Sequence, residues 1–316
     1  MQIKRSLIKD IKISIVIPSH NEEKNVQILA NKLVDTLKDC YDYEIIFVDD
    51  GSTDNTLSEL KELNKKNNKI HYISFSRNFG HQNALRAGLD CITGSCAISM
   101  DADLQHPVEL IPQMIDKWIE GYGIVYTIRK ENKKDSFFKR KTAHIFYRIM
   151  NYMSGLRLER GSADFRLMDK SVVEVLRNFK EMNIFYRGII SWLGFKQYGI
   201  SYFPNERLHG KTKYTIKKMA LLAFNGITSF SILPLQISTV LGAAISFLAF
   251  SYGIYAIIIK IVANKAISGW ASVMVGVFFL GGIQLLILGI IGNYIGKLFL
   301  EAKRRPNYII EEMSLL

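Results

Sequence analysis

A buried strand is predicted to end within Ile98-Ser-Met-Asp-Ala-Asp-Leu-Gln-His-Pro-Val-Glu109, where an apolar run meets two aspartates and a glutamine. If the extended backbone continues past the strand, side chains two residues apart share a face, so Asp101, Asp103 and Gln105 can direct their oxygens at one cation. Mg²⁺ and Mn²⁺ prefer such ligands and keep waters or substrate phosphates in their other positions. A competing interpretation is a turn before Pro107 that caps the next helix. This stretch alone supports both interpretations.

Short apolar segments alternate with helical segments through the first part of the chain. Strands are predicted at residues 11–17, 43–48, 70–75, 96–100 and 124–128. Helices are predicted between them, at residues 22–37, 53–63, 82–91 and 108–119. This alternation is typical of an α/β fold with a doubly wound, mainly parallel sheet. In such sheets ligands bind at the carboxyl ends of the strands.

Polar side chains follow four of the predicted strands. The clusters are Pro18–Glu23, Asp49–Asp54, Arg77–Gly80, and Asp101 with Asp103. Each cluster separately has a structural explanation, such as helix capping by Asn21 or Thr53. Four clusters at one edge of a sheet favour a ligand site. There Asp49 or Asp50 can accept a hydrogen bond from a base N–H, and Glu22 can bind ribose hydroxyls.

Two common nucleotide-binding classes lack their motifs in this chain. No G-x-G-x-x-G follows the first strand, and no G-x-x-x-x-G-K-[ST] occurs, which argues against dinucleotide oxidoreductases and P-loop NTPases. A carboxylate-rich, metal-assisted nucleotide site remains. The net charge of +12 suits either nucleic acid or an anionic membrane surface.

The C-terminal part of the chain indicates that the positive charge serves a membrane surface and that nucleic acid is not a partner. Residues 235–259 and 271–295 each reach the length of about 20 apolar residues needed to span a bilayer. A buried hairpin is disfavoured because soluble helices of this length have a polar face. Basic residues flank the pair on its outer sides, so the positive-inside rule predicts that both termini and the domain before the spans are cytoplasmic. We expect a multi-pass protein of the inner (cytoplasmic) membrane.

The predicted organisation has four parts, at residues 1–210 (nucleotide-binding domain), 211–233 (juxtamembrane amphipathic segment), 234–300 (two transmembrane helices) and 301–316 (basic tail). Segments 137–153 and 216–227 are predicted either as interfacial helices or as helices packed on the domain. Gly282, Gly289 and Gly296 form a seam of small residues in the second span. Either the first span or a second copy of the chain can pack against this seam, so a homo-oligomer is one of two possible arrangements.

The motifs resemble those of a known family. Val16–Glu23, Val48–Asp54, Ser76–Gly80 and Asp101–Gln105 look like the successive motifs of family 2 glycosyltransferases with a GT-A fold. Two later stretches and two spans narrow the resemblance to polyprenyl-phosphate glycosyltransferases, namely Gly161–Asp169 and Glu206–Tyr214. That group includes dolichol-phosphate mannose synthase and bactoprenol glucosyltransferases. Two positions depart from the pattern, because His20 replaces a usual Tyr and Lys211 replaces a small or acidic residue.

The resemblance implies a reaction and assigns residues to it. A sugar is transferred with inversion from a nucleotide diphosphate sugar to a polyprenyl phosphate, with UDP-glucose or UDP-N-acetylglucosamine and undecaprenyl phosphate as the expected pair. The implied Mg²⁺ or Mn²⁺ ligands are Asp101, Asp103 and Gln105. The implied catalytic residues are Asp164 and Asp103, and the implied phosphate or acceptor contacts are Arg129, Arg207 and Lys213. The nucleotide-sugar site is expected to comprise Pro18, His20, Asn21, Glu22, Asp49, Asp50, Arg77, Asp101 and Ala102.

Two roles are possible for Asp164 in this reaction. A phosphate monoester is already largely ionised near pH 7, because its second pKa is about 6. A strong general base is then hardly needed, and we expect Asp164 to orient the acceptor rather than to remove a residual proton.

Two other functions compete with this interpretation. A processive polysaccharide synthase would carry a Gln-x-x-Arg-Trp motif and more spans, and Trp118, Trp192 and Trp270 lack that context. A non-catalytic membrane scaffold that binds nucleotide or lipid would not need Asp101, Asp103 and Asp164 together.

Overall fold

The computed structural model describes residues 11–130, 159, 161–181, 186–204, 228, 231–263 and 269–314. The described chain forms two compact units. One unit holds the described residues up to 204 together with 306–314, and the other holds 228, 231–263 and 269–305. Arg207, Lys213 and the predicted amphipathic segments 137–153 and 216–227 lie outside the described residues.

The first unit is built on one twisted sheet. Its strands are β1 Lys12–Ser19, β2 Asp42–Asp49, β3 Ile70–Phe75, β4 Cys96–Ser99, β5 Ile124–Arg129, β6 Ser162–Asp169, β7 Gln197–Tyr202 and β8 Ile310–Met313. Their order is β7-β5-β6-β4-β1-β2-β3-β8. The pairs β1–β2, β1–β4, β2–β3 and β5–β7 are parallel, whereas β6 and β8 run antiparallel to their neighbours. The predicted α/β class with a mainly parallel sheet is confirmed.

Helices connect these strands. They are α1 Val26–Leu37, α2 Thr56–Lys66, α3 His81–Cys91, a 3₁₀ turn Val108–Leu110, α4 Ile111–Ile119, α5 Lys170–Arg177 and α6 Tyr186–Trp192. Helix α1 buries Val26, Leu29, Ala30, Leu33 and Leu37, and these residues belong to the same core as the fully buried isoleucines of β1. The spacing of three and four residues places them on one face of the helix. Truncating Leu33 to alanine would cost about 2–5 kcal/mol of folding free energy.

Two predicted helix starts were wrong. Helix α1 begins at Val26 rather than at Glu22, because Asn21 adopts a left-handed conformation (φ 57°) that ends the strand in a turn. Helix α2 begins at Thr56 and follows Asn55, so Thr53 does not cap it. Neither Asn21 nor Thr53 is therefore an N-cap.

Strands β6, β7 and β8 were not predicted. Strand β6 lies between β4 and β5, with Ser99 opposite Arg166. Because β6 is antiparallel to β4, its first residues lie at the carboxyl end of β4. This arrangement brings Asp164 to the edge where the acidic cluster was predicted.

The second unit contains α7 Leu233–Ala263 and α8 Trp270–Ala302. In this part of the described chain, Leu233–Tyr255 and Val275–Ala302 are each long and apolar enough to cross a membrane, by length and composition. Tyr294 donates a hydrogen bond from its hydroxyl to the Ser231 carbonyl (2.6 Å). A Cβ added at the seam glycines 282, 289 or 296 would meet no described atom of another segment within 4 Å. The predicted boundaries at 210, 233 and 300 and the homo-oligomer stay predictions.

Candidate active site

The loops after β1 and β2 are tied together by side chains. His20 donates from Nδ1 to the Asp50 carbonyl oxygen (2.9 Å). The Asn21 amide oxygen accepts from the Thr53 backbone N–H (2.8 Å), and the Asn21 N–H donates to the Ser52 hydroxyl (2.9 Å). The left-handed backbone of Asn21 thus serves to join two loops into one surface at the carboxyl edge of the sheet.

Pro18 and Glu22 lie on either side of this junction. Pro18 is buried near the end of β1. The Glu22 backbone N–H donates to the Thr56 hydroxyl (2.8 Å), and its carboxylate accepts from the Asn25 side-chain amide (2.5 Å). Glu22 is therefore held beside the start of α2, and its predicted contact with ribose stays a prediction.

Asp49 is a buried carboxylate at the end of β2. One oxygen accepts from the Ser52 backbone N–H and the other from the Ser74 hydroxyl, both at 3.2 Å. Asp49 therefore joins its own loop to β3. The structure places it at the predicted edge, and its contact with a base stays a prediction.

Asp50 holds the loop that follows β3. Its carboxylate accepts from the backbone N–H groups of Phe79 (2.6 Å) and Gly80 (3.0 Å). Burial raises the pKa of Asp50, and these two N–H groups oppose that rise. Gly51 has φ +61°, and a Cβ there would clash with the backbone of Arg77. The close approach of the two loops thus requires glycine at this position.

Asp101 begins a turn, and the predicted extended geometry was wrong. The alternation of side chains ends because Leu104 adopts a left-handed backbone (φ 62°) and Asp103 accepts a hydrogen bond from the Gln105 N–H (3.2 Å). Ala102 is buried within the turn. Asp101, Asp103 and Gln105 are thus grouped by a turn and not by the pleat of a strand.

Two histidines flank Asp101, and the sequence analysis missed both. His81, the first residue of α3, donates from Nε2 to the Asp101 carboxylate (2.9 Å). The Asp101 backbone N–H donates to Nδ1 of His106 (3.2 Å), whose ring stacks on Phe165. Burial opposes protonation of His81, but the Asp101 carboxylate outweighs it and raises the pKa of His81. The only sequence signal was that each histidine lies next to a predicted motif.

Asp164 is nearly buried and held by two arginines. Arg187 donates from Nε and Nη2 to its two carboxylate oxygens, both at 2.8 Å, and Arg166 lies 3.5 Å from one of them. The Ser99 hydroxyl donates to the Asp164 backbone carbonyl (2.5 Å). Burial would raise the pKa of Asp164, but the charge and hydrogen bonds of Arg187, followed by the charge of Arg166, hold it well below its ordinary value. Asp164 is therefore ionised at neutral pH and is a weak base.

Arg187 is a further residue that the sequence analysis missed. It lies on the short helix α6 between buried apolar residues, of which Tyr186, Ile189 and Ile190 are examples. A single arginine among apolar residues on one turn of helix was the only available signal. Its partner Asp164 is 23 residues away in sequence.

Two predicted cationic residues also reach this edge. Arg129 ends β5, and its guanidinium lies 3.4 Å from the Gln105 amide oxygen. Gly161 has φ +77° and accepts from the Arg129 backbone N–H, and a Cβ there would lie 2.7 Å from the Arg129 carbonyl. Arg77 is exposed, with its guanidinium 4.0 Å from the ring centre of Phe79.

The donor atoms of the turn suit a divalent cation that shares its coordination with substrate. Among the described residues no group of three or more His, Cys, Asp or Glu side chains could hold a metal alone. Asp101, Asp103 and Gln105 instead offer two carboxylates and one amide oxygen. Mg²⁺ and Mn²⁺ take such hard oxygens and complete their shell with water and substrate phosphates. The residues present therefore fit Mg²⁺ or Mn²⁺ bound together with a diphosphate.

Comparison with known proteins identifies the family of this chain. The bactoprenol glucosyl transferase of Shigella phage SfX is 41% identical over 303 residues, covering 95% of this chain and 99% of that protein. The prophage bactoprenol glucosyl transferase homolog of Escherichia coli K12 is 42% identical over 306 residues, covering 96% and 100%. The crystal structure of Mycobacterium tuberculosis glucosyl-3-phosphoglycerate synthase with phosphoglyceric acid is 16% identical and covers 70% of this chain and 79% of that one (TM-score 0.46). The family model described as glycosyl transferase family 2 matches residues 14–177. The chain belongs to glycosyl transferase family 2 and is a glycosyltransferase.

Proposed function

We propose that this enzyme transfers one sugar, from UDP-glucose or UDP-N-acetylglucosamine, to undecaprenyl phosphate with inversion. The observation that carries the proposal is the position of Asp164, which β6 brings to the same sheet edge as Asp101. The relatives named bactoprenol glucosyl transferase, similar over nearly the whole chain, support a polyprenyl phosphate as acceptor. The two candidate membrane helices support action on a lipid. We propose the inner leaflet because basic residues flank the pair of spans on its outer sides.

On the donor side, Asp101, Asp103 and Gln105 would hold Mg²⁺ or Mn²⁺ against the diphosphate. The bound ion would supply Lewis-acid stabilisation of the leaving nucleoside diphosphate. Arg129 lies beside Gln105 and adds fixed positive charge there. Such charge stabilises a transition state most when it is held in place before the reaction.

On the acceptor side, we infer that Asp164 and its arginines position a phosphate. The phosphate is already ionised near pH 7, so it needs placement and not deprotonation. Two guanidinium groups, from Arg166 and Arg187, face the single carboxylate of Asp164. These three side chains together carry one net positive charge, and the cation proposed beside Asp101 would offset the carboxylate of that neighbour. We infer that the positive charge of the arginines attracts an anionic acceptor. Direct attack by that phosphate on the sugar carbon gives inversion in a single displacement.

Two further residues, which lie outside the part of the chain that the structure describes, are proposed to bind phosphate. Arg207 and Lys213 are proposed to contact the acceptor phosphate or the leaving diphosphate. In the sequence both precede the first candidate span, and we propose that they act at the membrane surface, where a polyprenyl phosphate presents its headgroup. We also propose that the sheet domain and both termini are cytoplasmic, as the distribution of basic residues indicates.

A transfer assay tests this proposal. The full chain, purified in detergent, is incubated with a panel of nucleotide sugars (UDP-glucose, UDP-N-acetylglucosamine, GDP-mannose) and short polyprenyl phosphates. We expect one lipid-linked monosaccharide product from a UDP-sugar, with inverted anomeric configuration. A polymer would favour a processive synthase, and nucleotide binding without turnover would favour a non-catalytic scaffold. Either result would overturn the proposal.

A further inference from the structure

The residues after the second long helix return to the sheet of the first unit. Helix α8 ends at Ala302, and after seven intervening residues β8 begins at Ile310. β8 pairs antiparallel with β3, with Ile73 opposite Met313 and Phe75 opposite Ile310. The predicted basic tail thus contains the edge strand next to the loop that carries Arg77.

Tyr308 makes the main side-chain contacts of this return segment. Its ring stacks on Phe75, with centroids 5.1 Å apart and planes 13° from parallel. Its hydroxyl donates to the Asp90 carboxylate on α3 (2.9 Å). Phe75 also meets the ring of Phe79 edge-on, with centroids 5.7 Å apart. A continuous row of three aromatic rings therefore leads from the C-terminal segment to the loop after β3.

That loop, residues 76–80, is held at both ends. At its start, the Ser76 backbone N–H donates to the carbonyl of Ile309 (3.2 Å). At its end, the Phe79 and Gly80 N–H groups donate to the Asp50 carboxylate. Arg77 lies between these anchors with its guanidinium on the Phe79 ring. The C-terminal segment supplies one anchor, and the Asp50 carboxylate supplies the other.

We propose that Tyr308 is a positioning residue for the nucleoside diphosphate part of the donor, acting through Phe75 and Phe79 on the loop that carries Arg77. This inference rests on the proposed function, because it takes the sheet edge at Asp50 and Arg77 as the donor site. Without the Tyr308 ring, Phe75 loses its stacking partner, and Phe79 loses the support that Tyr308 gives it through Phe75. The Phe79 N–H keeps its bond to Asp50, but the Arg77 guanidinium on the Phe79 ring is held less firmly before the donor arrives, so the cost of ordering it opposes binding.

We expect changes at Tyr308 to weaken binding of the donor and to leave binding of the acceptor unchanged. Tyr308→Ala in the full chain should raise the Kd for UDP with Mg²⁺ and the KM for the nucleotide sugar about fivefold, as expected for the loss of one aromatic pair. The KM for the polyprenyl phosphate should not change. Tyr308→Phe keeps the ring and loses only the hydrogen bond to Asp90, so its affinity for UDP should be close to that of the wild type.

Glu312→Gln is the matched control on the same segment. It removes the ion pair with Lys61 (2.5 Å) and leaves the aromatic row intact, so UDP affinity should stay at the wild-type level. Tyr308→Leu is measured beside Tyr308→Ala, in case the smaller side chain unfolds the domain, with thermal unfolding as the check. Equal UDP affinity in wild type and the folded Tyr308 variant would refute the inference alone. If Glu312→Gln lost as much UDP affinity as Tyr308→Ala, the C-terminal segment would only stabilise the domain in general, and the inference would be refuted. A wild-type chain that binds no nucleoside diphosphate would overturn the proposed function and this inference together.

Discussion

Replacing Arg187 with alanine should destabilise the fold in a pH-dependent way, because Arg187 is the main partner of Asp164. The two hydrogen bonds at 2.8 Å would be lost, and the carboxylate, with its side chain only 11% exposed, would keep Arg166 at 3.5 Å. Charge-assisted bonds contribute about 1.5–3 kcal/mol each in favourable cases. The Arg187 side chain is 37% exposed, so solvent screening reduces the gain. We expect a net loss of about 2 kcal/mol, which is roughly a thirtyfold change in the folding equilibrium.

The sign of the pH dependence follows from the depressed pKa of Asp164. A carboxyl group with a lowered pKa in the folded state stabilises the fold above its unfolded pKa of about 4. That stabilisation is lost as the pH falls through the depressed value. The difference in unfolding free energy between wild type and Arg187→Ala should therefore be full at pH 7 and shrink below about pH 4.

Denaturant unfolding of the detergent-solubilised chain, followed between pH 7 and pH 3, measures this difference. Arg187→Lys keeps the charge without the two-pronged geometry and should restore only part of the stability. Lys65→Ala removes an exposed pair with Glu62 and should change stability by less than about 1 kcal/mol. A difference between wild type and Arg187→Ala that does not vary with pH would refute the assigned pairing.

Three further variants test the assigned roles. Asp103→Asn removes one of the two proposed ligand charges and should lower turnover by orders of magnitude with folding intact. Calorimetry should show that this variant needs a higher Mg²⁺ concentration than wild type to reach the same UDP affinity. Asp164→Asn should leave UDP affinity nearly unchanged while turnover falls, and a matching loss of affinity would move the residue to the donor side. Arg207→Ala or Lys213→Ala should each lower catalytic efficiency about tenfold or more, through loss of a charge-assisted bond. Normal kinetics with weakened thermal stability would instead make these two residues anchors of the juxtamembrane segment.

The parallel strands β1 to β4 could be predicted from the sequence because each contains a short run of mostly apolar residues. Strands β1 and β2 are buried at seven of eight positions, as expected when helices cover both faces. Strand β6 could not be found this way, because it carries Ser162, Asp164 and Arg166. Arg166 is buried only because Asp164 and the Ala163 carbonyl accept its hydrogen bonds. Strand β8 pairs with a strand more than 200 residues earlier, which no local pattern reveals.

The position of the predicted site residues was easier to predict than their geometry, and their roles stay predictions. Asp101, Asp103 and Gln105 lie together after β4 as expected, but the left-handed backbone of Leu104 replaced the expected extended arrangement. A leucine gives no signal for such a conformation, which usually favours glycine or asparagine. His81 approaches Asp101 across 20 residues of sequence. Such proximity follows from the topology of the sheet and not from spacing along the chain.

The most direct test of the central claim is a single transfer experiment with the purified chain. Labelled UDP-glucose or UDP-N-acetylglucosamine is supplied with undecaprenyl phosphate and Mg²⁺, and the label is followed into the lipid phase. We expect a lipid-linked monosaccharide whose formation stops in the Asp164→Asn variant and in the presence of a chelator. Full transfer in chelator would contradict the metal-assisted site. Absence of any lipid-linked sugar from the folded, nucleotide-bound enzyme would contradict the assignment of a polyprenyl phosphate as the acceptor.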